Sequence, residues 1–193
     1  MAHMTDVPYI TNGNVMELLN RFAIRFVQKY GYTYTVNILI VGGSAIALRY
    51  NSRATVDIDA DIAFGGKISD IINQVALDLN IPNDWLNQDF VNSYSYSRKL
   101  WDRAEYIGTL NQVINVYIVS ELDQLCMKSI TTRTKDEDDV IVLAKALKNK
   151  GVTYEMFTEN FYRLYRDYVK ISRSKDKIIK SILKGRRNNR LSR

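Results

Sequence analysis

The segment Ile38–Ala63, ILIVGGSAIALRYNSRATVDIDADIA, constrains this chain more than any other stretch of it. An apolar run ends in Gly42-Gly43-Ser44, a short amphipathic stretch follows, and a β-like run then carries Asp57, Asp59 and Asp61 at every second position. Side chains two apart on a strand leave the same face, so the three carboxylates converge. Crowded carboxylates repel unless a cation lies between them, and an oxygen-only set suits Mg²⁺, which bridges one or two protein carboxylates to substrate phosphates. A glycine pair directly after a strand lets backbone N–H groups approach phosphate oxygens, and the start of a helix favours an anion there. A phosphate cradle and a metal site thus lie about one strand–helix–strand unit apart, the layout of a nucleotide-handling enzyme.

Each feature also has a plainer reading. The aspartates would be the solvated face of an edge strand, but aspartate is disfavoured in strands, and three at alternate positions work against sheet formation without a site to justify them. Gly42-Gly43 alone fits a simple strand-to-helix turn equally well. The tyrosines, Trp85 and Trp101 are scattered and fit packing better than base stacking.

Composition narrows the chemistry. The 193 residues suffice for one core plus a helical appendage, and 46% hydrophobic with 25% charged residues is ordinary for a soluble globular protein. No apolar run reaches the roughly 18 residues a membrane span needs, and the N-terminus lacks a secretory pattern, so the expected address is cytoplasmic, with no membrane partner. Met1-Ala2-His3 ahead of Met4 reads as a cloning remnant and contains the only histidine. The body of the chain then has no histidine base or ligand, which excludes a Ser-His-Asp hydrolase and the usual zinc enzymes. Cys126, the only cysteine, lies in an apolar helical pattern and reads as a buried side chain rather than a reactive thiol.

Charge is uneven. The net charge is +6, yet residues 163–193 hold twelve Lys and Arg against two Asp, a local net of +10, which leaves a body of −4. A mildly acidic body with a basic tail points to a polyanionic partner, RNA being the natural one once the phosphate and metal motifs are added.

Periodicity predicts a helix over Val15–Tyr30, a buried strand over Thr35–Val41, a short helix over Ser44–Tyr50 and a strand over Thr55–Phe64, with Val56, Ile58, Ala60 and Ile62 toward the core. A helix over Ile68–Leu79 and a strand over Gln112–Val119 follow, while Asp84–Arg103 fits no pattern. From Ser120 the period becomes helical, giving helices near Leu122–Thr131, Asp136–Lys148, Tyr154–Val169 and Lys175–Leu183. The expected fold class is α/β (α+β), a mixed sheet with flanking helices over residues 1–120, followed by a C-terminal helical region with a basic tail over 121–193.

The order of these motifs (Gly-Gly-Ser, a short helix, Arg-x-Thr-x-Asp-x-Asp, a helix bearing Lys128 and a helix opening Lys-Asp-x-x-Asp) resembles the nucleotidyltransferase superfamily. Within it the chain looks like the AbiE-type toxin nucleotidyltransferases of type IV toxin–antitoxin systems and their bacterial relatives. The likeness spans roughly Ile38 to Leu147 and is carried by four short motifs. It implies a minimal nucleotidyltransferase core that moves a nucleoside monophosphate from an NTP to an acceptor. By the same likeness Gly42, Gly43, Ser44 and Arg53 hold the nucleotide, and Asp57 and Asp59 bind Mg²⁺ or Mn²⁺. Lys128 contacts the triphosphate, and Asp136 and Asp139 support catalysis or position that lysine. Helix N-terminal acids complementing the dipole are the plainer reading of the last pair.

One departure stands out. Many superfamily members place a third carboxylate on a later strand, whereas Val113–Val119 offers Asn115 and Tyr117 on its non-core parity. Either Asp61, Glu121 or Asp123 substitutes for it or the base is dispensable, and the toxin-like relatives also tend to lack this acid. The expected partners are an NTP, RNA (a tRNA end) docked on residues 163–193, and a cognate antitoxin protein. The rivals are a catalytically inactive nucleotide- or RNA-binding module of the same fold, and a protein AMPylator.

Overall fold

The computed structural model describes residues 12–50 and 55–184, with side chains from Asn14 onward. It forms two compact units. One holds the described residues up to Asn92 together with Ala104–Val119, and the other holds Ser93–Arg103 with the described residues from Ser120 onward.

The first unit contains α1 (Asn12–Tyr30), β1 (Val36–Ile40), α2 (Gly42–Tyr50), β2 (Ile58–Ala63), α3 (Ser69–Leu79), β3 (Leu86–Asn87), β4 (Glu105–Leu110) and β5 (Ile114–Ile118). The strands make one mixed sheet in the order β3-β2-β1-β5-β4. β1 runs antiparallel to β2 and parallel to β5, β2 is parallel to β3, and β4 is antiparallel to β5. α1 buries Val15, Leu18, Leu19, Phe22, Ala23 and Phe26, one stripe at helical spacing, and packs on α2 and α3. On β2, Ile58, Ala60 and Ile62 are buried while Asp59 and Asp61 are half-buried, the alternation that period-2 strand geometry demands. Cross-strand partners share a face, so register places Asp61, Leu39 and Tyr117 in one row, and Asn37 and Asn115 in the next.

The second unit contains α4 (Glu121–Ile130), α5 (Asp136–Asn149), α6 (Tyr154–Leu164) and α7 (Arg173–Leu183), with a 3₁₀ turn at Arg98–Arg103. Ser120 caps α4 by accepting from the Asp123 N–H at 3.2 Å, and Thr153 caps α6 through the Met156 N–H at 3.2 Å. α5 has no side-chain cap; its first turn is acidic throughout, Asp136 to Asp139, which complements the positive end of the helix. The α/β expectation holds: a mixed sheet flanked by helices, followed by a helical half.

Two local expectations need correction, on Val56 and on the end of α6, and two strands arise where periodicity assigned none. Val56 is 52% exposed rather than core, because β2 starts only at Ile58 and Asp57 lies just before it. The unassigned segment Asp84–Arg103 supplies the two-residue strand β3, which pairs with the start of β2. β4 had no signal, since it is a mostly exposed edge strand with a register shift between Tyr106 and Gly108. α6 stops at Leu164 instead of reaching Val169, because Tyr165 turns to an extended backbone.

Candidate active site

Two side-chain groups, one in each unit, carry the residues singled out by sequence. In the first unit the chain leaves β1 at Val41, whose N–H donates to the Asp59 carbonyl at 3.0 Å, and turns into α2 at Gly42. Gly42 has φ +65°, a region open to glycine but strained for other residues. A Cβ there would also lie 2.6 Å from Asp59 Oδ2. The glycine is therefore needed twice over: for its backbone and for the carboxylate that rests on it. At Gly43 a Cβ would come within 3.2 Å of Thr55 Oγ1, a tight but less severe approach.

Ser44 is 1% exposed and its hydroxyl donates to the Asp57 carbonyl at 2.8 Å. This side chain ties the first turn of α2 to the approach of β2. What α2 offers an anion is the set of N–H groups that the first turn of a helix leaves without intrahelical partners. Arg49, at the other end of α2, clamps the helix to the sheet through Glu105 at 2.9 Å and the Val119 carbonyl at 2.7 Å.

The Asp57 carboxylate is held on both sides. Its Oδ1 accepts from the Thr55 hydroxyl at 3.3 Å and its Oδ2 from the Asn87 amide at 3.1 Å. Asn87 is itself fixed, its Oδ1 accepting the Asp89 N–H at 3.0 Å, and it pairs in register with Asp59. Asn87 is thus the polar side chain of a later strand that stands beside the aspartate pair. Asn115 lies on the half-buried, non-core face of β5 as its parity predicts, where its amide donates to Asn37 Oδ1 at 2.9 Å and its oxygen accepts from Thr109 at 2.6 Å. Asn87 escapes notice in the sequence because the two residues of β3 leave no periodic trace there. Asn87 could have been suspected only as a polar residue directly after the buried pair Trp85-Leu86.

The donors around this turn are carboxylate oxygens, a set suited to a hard cation such as Mg²⁺. Among the described residues no group of three or more His, Cys, Asp or Glu is arranged to hold a metal ion by itself. Two carboxylates fit a metal whose other ligands are water and substrate phosphate, as Mg²⁺ prefers. Arg53 lies outside the described residues.

In the second unit, Lys128 on α4 reaches two carboxylates of α5, Asp136 Oδ1 at 2.7 Å and Asp139 Oδ2 at 2.9 Å. Helix dipole complementation alone does not account for these acids, since both are almost fully buried against a lysine, at 3% and 5% side-chain exposure. Thr131 donates to Asp136 Oδ2 at 2.6 Å. Burial pushes the Asp136 carboxyl upward, but the hydrogen bonds from Lys128 and Thr131 outweigh it and hold the group below the ordinary aspartate value. Lys175, which the sequence offers only as one more charge of a basic tail, is 1% exposed and joins this cluster from α7.

Two substitutes for a third acid are engaged in the second unit. Glu121 pairs with Lys150, and Asp123 is fully buried against Arg163 Nη2 at 2.8 Å and the Asn160 amide at 2.7 Å. Arg163 therefore begins the basic segment as a structural residue. Lys180 likewise pairs with Asp176 at 2.7 Å, and residues 185–193 lie outside the described residues. Cys126 is fully buried, and burial pushes its thiol well above the usual range, which leaves it inert. No helix among the described residues is long and apolar enough to cross a membrane.

A family model described as "Nucleotidyltransferase of unknown function (DUF6036)" matches residues 14–177, a span that includes both groups of side chains. No curated protein and no solved structure matches the chain.

Proposed function

The chain belongs to this family of nucleotidyltransferases of unknown function, and from that premise we propose that it transfers a nucleoside monophosphate from an NTP to an RNA acceptor in a Mg²⁺-dependent reaction. The observation that carries the reading is that Asp57 is held by Thr55 and Asn87, while Asp59, in register with that same Asn87, rests on Gly42 at the head of α2.

In this reading Asp57 and Asp59 hold the metal, with Mn²⁺ as an alternative ion. Bound Mg²⁺ supplies charge neutralisation on the triphosphate. The N–H groups of Gly43 and Ser44 take phosphate oxygens at the start of α2. Ser44 Oγ keeps that turn against the strand, and Asn87 keeps the Asp57 carboxylate oriented. Lys128 contributes a cation toward phosphate charge, with Asp136 and Asp139 fixing it. The acceptor hydroxyl attacks the α-phosphorus, the bond to the bridging oxygen breaks, and pyrophosphate leaves. Asp61, on the face of Asp59, is the carboxylate we assign to take the hydroxyl proton.

RNA as acceptor rests on the basic segment 163–193, of which Arg166, Lys170, Arg173, Lys177 and Lys184 are exposed among the described residues. A toxin role with a partner antitoxin rests on the motif likeness alone.

The test is incubation of the protein and its Asp57→Asn variant with Mg²⁺, each α-³²P-labelled NTP in turn, and total bacterial RNA. Label that enters ribonuclease-sensitive material with the wild type and not the variant is the expected result. Label in protease-sensitive material identifies a protein AMPylator instead. No label from a folded protein that binds RNA leaves a binding module.

A further inference from the structure

We propose that one face of α7, built from Arg173, Lys177, Lys180 and Lys184, is a preformed track for the phosphate backbone of the acceptor RNA, with Tyr154 as its positioning residue. The proposal rests on the RNA-acceptor reading and narrows it from a basic segment of the chain to one helix face. Spacings of four, three and four residues bring these side chains within about 60° of one another around the helix. Along the axis they extend over about 16 Å. Lys184, the C-cap, keeps helical backbone angles of φ −72° and ψ −24°, so the stripe continues to it. The opposite side of α7 buries Lys175, Ile179 and Leu183. Packing therefore turns the stripe to solvent: Arg173, Lys177 and Lys184 are exposed, and Lys180 is 46% exposed. A row of cations meets a polyanion as a line and reads no base sequence, since every nucleotide offers the same phosphate.

The second half of the stripe is held in shape. Tyr154, at the start of α6, donates its hydroxyl to Asp176 Oδ1 at 2.6 Å, and Lys180 donates to Asp176 Oδ2 at 2.7 Å. The ammonium groups of Lys180 and Lys184 lie over the Tyr154 ring, 5.2 and 5.0 Å from its centre. A lysine on a solvated helix loses rotamer freedom when it meets a phosphate, and the ring carries part of that ordering in advance. Because Lys180 also meets Asp176, the phosphate contacts fall to Arg173, Lys177 and Lys184. Lys180 belongs with the ring and the carboxylate that fix this end of the track.

The experiment measures binding of a short fluorescein-labelled single-stranded RNA by anisotropy, across a range of KCl concentrations, with folding followed by circular dichroism. The proteins are the wild type, Arg173→Gln/Lys177→Gln, Lys145→Gln/Lys148→Gln, Tyr154→Leu and Tyr154→Phe. Lys145 and Lys148 are exposed lysines of α5, so the second double variant controls for net charge. Each phosphate contact on a single strand contributes about −0.7 to the slope of log K against log salt. Arg173→Gln/Lys177→Gln should therefore flatten the slope by about 1.4 and weaken binding about tenfold or more at low salt, while the control keeps its slope and stays within about threefold. Tyr154→Leu should bind about two- to fivefold more weakly with the slope unchanged, and Tyr154→Phe, which keeps the ring, should match the wild type. Equal losses in the two double variants, or an unchanged slope in Arg173→Gln/Lys177→Gln, overturn the track. Both α7 positions are exposed, so this result is read on a folded chain even where Tyr154→Leu does not fold. Wild-type binding by Tyr154→Leu, or binding by Tyr154→Phe as weak as by Tyr154→Leu, overturns the part given to Tyr154. Absence of RNA binding by the wild type overturns the whole proposal. Label passing from an α-³²P-labelled NTP to protein in that same preparation would leave nucleotidyl transfer standing, which separates the two failures.

Discussion

Gly42 and Asp59 are packed so closely that a single methyl group on residue 42 would lie 2.6 Å from Asp59 Oδ2. The turn that starts α2 and the strand that presents the carboxylates are thereby fitted to each other at one atom. Gly42→Ala is expected to cost more than Gly31→Ala, which isolates the backbone contribution. Both glycines have φ +65°, but nothing lies within 4 Å of a Cβ at Gly31. Gly31→Ala should cost about 1–2 kcal/mol from the left-handed backbone alone, and Gly42→Ala distinctly more. Urea denaturation of the two variants checks this, and equal losses would remove the Asp59 contact from the account.

The second prediction concerns the carboxylates themselves. Asp57→Asn and Asp59→Asn should each lower nucleotidyl transfer on the order of 10³-fold, since several kcal/mol of charge stabilisation converts at about 1.4 kcal/mol per tenfold. Circular dichroism should be unchanged, because asparagine at 57 can still accept from the Thr55 hydroxyl. Steady-state transfer rates with saturating Mg²⁺ are the measurement.

Asn87 supplies a third. Asn87→Asp replaces an amide that donates to Asp57 with a carboxylate that repels it. In EDTA the variant should melt below the wild type, and Mg²⁺ should raise its midpoint more than it raises that of the wild type. An equal response to Mg²⁺ in both proteins would show that residue 87 does not face the metal.

Acid stability gives a fourth. Asp136 is held below the ordinary aspartate value in the folded protein by Lys128 and Thr131, against the upward push of burial. A depressed folded value contributes stability above the unfolded pKa of about 3.9, and that contribution is lost as pH falls through the folded value. The wild type should therefore lose stability more steeply below about pH 4 than Asp136→Asn, whose profile in that window should be flatter. Denaturant midpoints across pH 2.5–6 at constant ionic strength read the difference.

What the sequence made legible follows from periodicity. α1 and β2 bury one face and expose the other, so their apolar spacing shows directly in the residues. Asp59 and Asp61 were equally visible, because carboxylates at alternate strand positions conflict with the propensity of the strand that carries them, and Asp57 continues their spacing although β2 starts only at Ile58. Asn87 was hidden by the brevity of β3, where two residues cannot display a period. Lys175 was hidden for a different reason: its neighbours Arg173 and Lys177 are exposed, and only the packing of α7 separates it from them. Ser44 was visible as a residue but not in its role, since the partner of its hydroxyl is a backbone carbonyl thirteen residues away.

The most direct test of the central claim compares α-³²P- and γ-³²P-labelled NTP in one reaction with the wild type, Mg²⁺ and RNA. The account predicts α-label in the acceptor, γ-label only in released pyrophosphate, one pyrophosphate per nucleotide added, and neither signal with Asp59→Asn. Transfer of the γ-label would identify a phosphotransferase, and transfer of neither by a protein that binds the nucleotide would contradict catalysis at the Asp57–Asp59 pair.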